Sequence, residues 1–247
     1  MPPEKWRLII DGARNAYWNM ALDEALLRGK ESTLRIYEWR PPAVSIGYFQ
    51  EVKEEVDVEE LKKRGFDLVR RITGGGAVLH QWEITYSLTF PEEFASESIS
   101  ESYREICEGI VIFLRNLGLN ASFSPINDVL VEGRKISGNA QTRKWGRILQ
   151  HGTLLLDLDL EAMFSVLRVS REKVSDKLIK DVKGRVTCLN WELGGIPNKD
   201  EMKVLLSEGF SEALGVEFSE SKFTKSEIEL ARELVSKYSS DEWTFMR

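Results

Sequence analysis

The sequence predicts an α+β fold, a mixed and largely antiparallel sheet flanked by helices. Three observations carry this. Segments with strand character fill the first two-thirds of the chain and are interleaved with helices, and the last third is helix-rich. The order is not the regular strand–helix alternation of a doubly wound parallel sheet. With 247 residues, 42% of them hydrophobic, the chain can bury a sizeable core, which excludes the disordered and fibrous classes.

The elements follow in chain order. Residues 6–10 read as a first strand. Asn15 caps a helix running to Leu27, and Gly29 ends it. Residues 33–39 and 43–49 are strands parted by the Pro41-Pro42 turn. Asp57 caps a short helix closed by Gly65, and residues 67–71 form a strand running into Gly74-Gly75-Gly76. Residues 83–90 alternate as a strand does. Ser98 and Glu101 form a capping box. Behind it, Tyr103, Ile106, Cys107, Ile110, Phe113, Leu114 and Leu117 recur at helical spacing up to Gly118. Residues 128–132 and 135–142 make a hairpin turning near Gly133, and residues 148–157 are a further strand. The remainder is mostly helical, with starts at Asn198/Glu201 and Thr224/Glu227.

Charge and composition narrow the function. Lys and Arg total 34 against 40 Asp and Glu, a net charge of −6 that argues against a chain built to coat nucleic acid. Cys107 and Cys188 are too few for a disulfide framework or a four-cysteine zinc site, and His80 and His151 form no HExxH pair. No signal peptide is visible at the start and no apolar run approaches a bilayer span, so the expected compartment is the cytoplasm.

Three segments carry chemistry. In Arg70-Arg71-Ile72-Thr73-Gly74-Gly75-Gly76-Ala77-Val78-Leu79-His80, glycines leave backbone amides open to a close anion and arginines offer bidentate contacts. It is neither a Walker A loop nor a GxGxxG fingerprint. In Gly133-Arg134-Lys135-Ile136-Ser137-Gly138-Asn139-Ala140, alternation places Lys135, Ser137 and Asn139 on one face and Ile136, Gly138 and Ala140 on the other. His151 opens the apolar run Gly152-Thr153-Leu154-Leu155-Leu156. On residues alone each has a plainer alternative: a flexible hairpin tip, a surface lysine, a hydrogen-bonded structural histidine.

Taken together, with Asn127-Asp128, the early Asn19-Met20-Ala21-Leu22-Asp23-Glu24 and Ile46-Gly47-Tyr48-Phe49-Gln50, the pattern resembles the lipoate–protein ligase family of the biotin/lipoate transferase superfamily. The likeness runs from about Trp6 to Glu242-Trp243 and is nearest the short archaeal form. It implies the biotin/lipoate ligase catalytic fold over a single domain, 1–247, without the family's small C-terminal domain. It also implies activation of lipoate by ATP and Mg²⁺ to lipoyl-AMP, then transfer to a lysine of a lipoyl-domain acceptor. Such acceptors are the acyltransferase subunits of 2-oxoacid dehydrogenases and the glycine cleavage H protein. A separate small accessory subunit is expected for adenylation.

Carried over, Arg70, Gly75, Gly76, Ala77 and Val78 match nucleotide contacts. Lys135 matches the catalytic lysine. His80, Asn127, Asp128 and His151 match positions near the site, with Asp128 a possible Mg²⁺ ligand. An apolar slot for the acyl tail is guessed at Val44, Ile46 and Leu79. The basic stretch Arg171, Lys173, Lys177, Lys180, Lys183 and Arg185 reads as a solvated face, as a cover over the site, or as a dock for an acidic acceptor. Two alternatives stand beside the ligase: an octanoyltransferase working through a cysteine thioester, and a non-catalytic lipoyl-adenylate-binding subunit. For the first, Cys107 falls on an apolar helix face and Cys188 in a loop, and the stretch 121–127 holds no cysteine. Biotin ligase is disfavoured because its Gly-Arg-Gly-Arg signature is missing.

Overall fold

The computed structural model describes residues 4–168 and 176–247, with only the backbone of 176–179. The first half runs β1 (Glu4–Arg14), α1 (Ala16–Arg28), β2 (Thr33–Trp39), β3 (Ala43–Ile46), α2 (Val52–Glu55), α3 (Val58–Lys63), β4 (Asp67–Arg70), β5 (Val78–His80) and β6 (Glu83–Pro91). Then come α4 (Ile99–Asn116), β7 (Ala121–Ser124), β8 (Asp128–Val131), β9 (Arg134–Lys144) and β10 (Arg147–Leu155). The chain ends with α5 (Leu160–Val166), α6 (Asp176–Lys183), α7 (Leu189–Leu193), α8 (Lys199–Leu214), β11 (Val216–Glu220), α9 (Lys225–Tyr238) and α10 (Asp241–Thr244).

Eight strands form one sheet in the order β11-β1-β2-β6-β10-β9-β8-β7, and β4-β3-β5 form a small second sheet. In the large sheet only the β1 pairings with β11 and β2 are parallel. The central strands β6 and β10 are buried along nearly their whole length, because helices cover both faces. On one face α4 and α8 bury Ile106, Ile110, Phe113 and Phe210 against Leu34, Ile84, Leu88 and Ile148. These two helices cross closely through glycines: a Cβ at Gly209 would lie 2.4 Å from the Gly109 carbonyl oxygen. On the other face α1 and α9 pack Met20, Leu22, Leu234 and Tyr238 with Tyr37 and Leu149. The caps behave as their residue types require: Asn15, Asp57, Ser98, Asn198 and Thr224 each accept a backbone N–H at a helix start.

Three expectations change. β3 stops at Ile46 rather than 49, because Gly47 must pass beneath the glycine loop: a Cβ there would sit 2.0 Å from the Gly75 carbonyl oxygen. β11, read as part of a helical remainder, is a short edge strand parallel to β1. Strict alternation fails in β9. Leu130 pairs with Lys135 but Val129 pairs with Ser137, so Ile136 is an extra residue in a bulge. The bulge puts Lys135 on the same face as Gly138, where a Cβ would lie 2.8 Å from Lys135 Cε. No helix among the described residues is long and apolar enough to cross a membrane.

Candidate active site

The small sheet meets the α1 face of the large sheet at a cleft, and Arg71 organises one wall. It leaves the end of β4 buried, with no carboxylate partner among the described residues. Its Nη2 donates to the carbonyls of Gly74 and Gly76 at 2.9 Å, and Nη1 donates to Ser45 O at 2.9 Å and Ser45 Oγ at 2.7 Å. Its Nε reaches Thr73 Oγ1 at 3.4 Å. Burial pushes this guanidinium down to about 10, which leaves it charged at neutral pH. The glycine loop is thus fixed from behind. Gly75 takes φ +92, which favours glycine, and nothing lies within 4 Å of a Cβ added at Gly76, which faces open space.

Both hydroxyls that Arg71 touches belong to acid–histidine–hydroxyl chains. In one, His80 bonds Glu83 Oε1 at 2.5 Å and Ser45 Oγ at 2.6 Å, with its ring stacked on Trp39. In the other, His151 bonds Asp23 Oδ2 at 3.1 Å and Thr73 Oγ1 at 2.7 Å. A carboxylate only accepts, so Nδ1 carries the proton in each ring and Nε2 accepts the hydroxyl. Asp23 also accepts from Arg35, Tyr37 and Ser87. Burial alone would raise Asp23, but the bonds from His151 and Ser87 and the charge of Arg35 outweigh it and hold its carboxyl below the usual range. Burial pushes His151 down, against the opposing pull of Asp23.

Lys135 faces this wall. Its Nζ lies 2.7 Å from Asp128 Oδ1, and its backbone is held by the following segment, with Lys135 N donating to Arg185 O and Thr187 N to Lys135 O, each at 2.8 Å. Asn127 closes the corner: Asn139 N and Nδ2 donate to its carbonyl, and its own Nδ2 donates to Asn139 O.

The cleft has two chambers. The inner one, about 130 Å³, is lined by Met20, Tyr37, Trp39, the glycine loop and both histidines. The outer one, about 230 Å³, is lined by Leu79, Gln81, Trp82, Leu155, Met163 and Val186. Ala77, Val78, Lys135, Gly138 and Thr153 border both.

Of the residues named from sequence, Gly75, Gly76, Ala77, Val78, His80, Asn127, Lys135 and His151 line this cleft. Asp128 touches it through Lys135. Arg70 does not line it. Its side chain points the other way from its neighbour's, as successive strand residues do, and donates to the carbonyls of Gly47, Tyr48, Gln50, Trp243 and Thr244. Val44 and Ile46 are core residues under the small sheet, and only Leu79 of the guessed slot lines a chamber. Of the basic stretch, Arg171 and Lys173 lie outside the described residues, whereas Lys180, Lys183 and Arg185 are exposed. Missed as site residues were Arg71, Asp23, Ser45 and Glu83: Asp23 and Ser45 belong to elements remote in sequence from the motifs, whereas Arg71 and Glu83 lie beside Arg70 and three residues from His80. Cys107 is core, as expected, and burial pushes its thiol up to about 12. Cys188 is not in an open loop. It caps α7, fully buried, and burial pushes its thiol up to about 11.

This fold is that of a lipoate-ligase-type catalytic domain. The lipoyl protein ligase A/B catalytic domain matches residues 15–211, and the chain belongs to that family. It is 42% identical to octanoyltransferase LipM of Kyrpidia tusciae, over 99% of this chain and 100% of that protein. Octanoyltransferase LipM of Geobacillus kaustophilus is 40% identical over the whole of both. Among solved structures, the bi-partite lipoate protein ligase of Thermoplasma acidophilum superposes with a TM-score of 0.89 at 36% identity, covering 98% of this chain and 96% of that one.

The family and fold expectations therefore hold, but the reaction does not. Relatives 34–42% identical over essentially their full length are named for a transfer reaction, which overturns the reading of this chain as an ATP-dependent ligase. ATP and Mg²⁺ fall with it as cofactors. Asp128, read as a possible Mg²⁺ ligand, faces the Lys135 ammonium instead, and no group of three or more metal-ligating side chains occurs among the described residues. A fold shared with a ligase does not set the chemistry.

Proposed function

We propose that this protein is an octanoyltransferase, moving a medium-chain acyl group from a carrier thioester to a lysine of a lipoyl-domain acceptor. The observation that carries this is the place of Lys135, at the junction of the two chambers. The inner chamber takes the acyl tail. The polar side chains deep inside it are already engaged with one another: the two histidine chains are closed, and Arg71 donates to protein oxygens. What remains for a ligand is Met20, Trp39, Ala140 and ring faces. The outer chamber takes the amide-bearing arm of the carrier, where Gln81 Oε1 is buried without a partner.

The thioester carbonyl then lies at Lys135. The acceptor amine attacks it, the C–N bond forms and the C–S bond breaks, and the proton lost by the amine ends on the departing sulfur. The Lys135 ammonium stabilises the oxyanion, an interaction made stronger in a site partly screened from water. Neither cysteine lines the cleft, and both thiols are raised, so the acyl group passes directly to the amine.

The test is transfer from an octanoylated carrier protein to a recombinant E2 lipoyl domain without ATP, followed by intact mass. Octanoylation is expected, and it should persist when both Cys107 and Cys188 are changed to Ser. Lys135→Ala should lower the rate by roughly 10²–10³, the scale of one lost oxyanion donor. Acylation that demands free acid and ATP, or that vanishes in Cys188→Ser while the fold survives, would overturn the proposal.

A further inference from the structure

Beside the glycine loop lies a surface where exposed aromatic rings and cations alternate. Tyr48 N donates to Thr73 O at 2.8 Å, and the Phe49 ring comes within 3.9 Å of where a Gly74 Cβ would be, so this surface adjoins the cleft wall. The Lys144 ammonium lies 5.5 Å from the Tyr48 ring and 6.0 Å from that of Trp145. Arg28 sits 4.6 Å over Trp145, and Arg247 lies 5.8 Å from Tyr48 and 5.5 Å from Phe49.

Two features mark it as more than a solvated rim. Trp145 tips the β9–β10 hairpin with φ +55, a left-handed conformation costly for a bulky side chain, and yet it is 56% exposed. Phe49 is 70% exposed. The charge is also one-sided. The buried Glu24 pairs with Arg28 and Lys237, whereas neither Lys144 nor Arg247 forms an ion pair among the described residues. The whole chain carries a net −6, so this patch is positive against a negative background.

We propose that this surface docks the acceptor domain, and that the acceptor presents carboxylates flanking its target lysine. The inference rests on the acyl-transfer reading and adds the partner's chemistry to it. A chain of net charge −6 repels an acidic partner at long range, so a local positive patch selects the one face by which such a partner can approach. Aromatic and arginine side chains are the usual anchors of such contacts. Docked there, the acceptor lies against the glycine loop, with its lysine directed into the cleft.

The experiment measures affinity of a recombinant E2 lipoyl domain for the full chain by titration calorimetry at low and high salt, apart from any assay of transfer. The wild type should bind in a salt-sensitive way. The double variant Lys144→Glu/Arg247→Glu should bind about tenfold more weakly or worse, and Trp145→Ala should also weaken binding. Reversal of Lys62 and Lys63 on α3 should change nothing. Transfer to a short uncharged lysine peptide should be the same in wild type and double variant. Undiminished affinity in the double variant would overturn the docking proposal. So would self-association of the wild type that the reversals abolish without touching domain affinity, which would assign the surface to a second copy. Salt-sensitive binding lost in the double variant supports docking even if the acyl-transfer assay fails, in which case only the reaction is wrong.

Discussion

A Cβ added at Gly138 and one added at Gly152 meet different obstacles. At Gly138 it lies 2.8 Å from Lys135 Cε and 2.9 Å from Nζ, the far end of a flexible side chain. At Gly152 it lies 2.0 Å from Asn139 Oδ1 and 2.8 Å from the Tyr86 ring, both held in a buried network. Gly138→Ala should therefore leave the thermal midpoint nearly unchanged while lowering the transfer rate, because the ammonium is turned from the carbonyl. Gly152→Ala should cost about 1–3 kcal/mol of stability, measured by denaturant unfolding. Equal stability loss in the two variants would contradict the assignment. Much of this scale was legible in sequence. The glycine loop, Lys135 and both histidines were named from motif and resemblance. Which arginine of the pair enters the cleft was not, since adjacent strand residues face opposite ways and the phase is set by the core. The face of Lys135 was not legible either, because the bulge at Ile136 is a property of pairing with β8 and not of β9 alone.

Between elements, His151 is the pin from β10 to α1 through Asp23. Burial lowers its pKa below 6.5 in the folded state, so the unfolded chain takes up this proton first. Its contribution to stability is then complete above about 6.5 and is lost as the pH falls below that, levelling off once the folded histidine also protonates. Asp23, held below its ordinary 3.8, adds a second loss at lower pH. The thermal midpoint should fall between pH 7 and 5, and the fall should be smaller in His151→Asn. An equal fall in that variant would show that His151 is not the group responsible. Helix starts were the best-read feature at this scale, because each cap is a local choice of side chain. β7 and β11 were missed because each is a short edge strand of four or five residues, too brief to show alternation, and the partner of β11 lies at the other end of the sequence.

Over the whole molecule, two sheets and two helix pairs leave a single chain of polar contacts from Asp23 through His151 and Thr73 to Arg71, and on through Ser45 and His80 to Glu83. These residues come from α1, β10, the glycine loop, β3, β5 and β6, so the cleft wall is rigid only when both sheets are docked. Proteins similar to this chain are named both as ligases and as octanoyltransferases, and here neither cysteine lines the cleft, so the proposed transfer rests on Lys135. The direct measurement is a crystal structure with a non-hydrolysable octanoyl thioester analogue. The expected result is a carbonyl oxygen within hydrogen-bond distance of Lys135 Nζ, with the eight-carbon tail among Met20, Trp39 and Ala140. An acyl tail elsewhere, or a carbonyl out of reach of that ammonium, would contradict it.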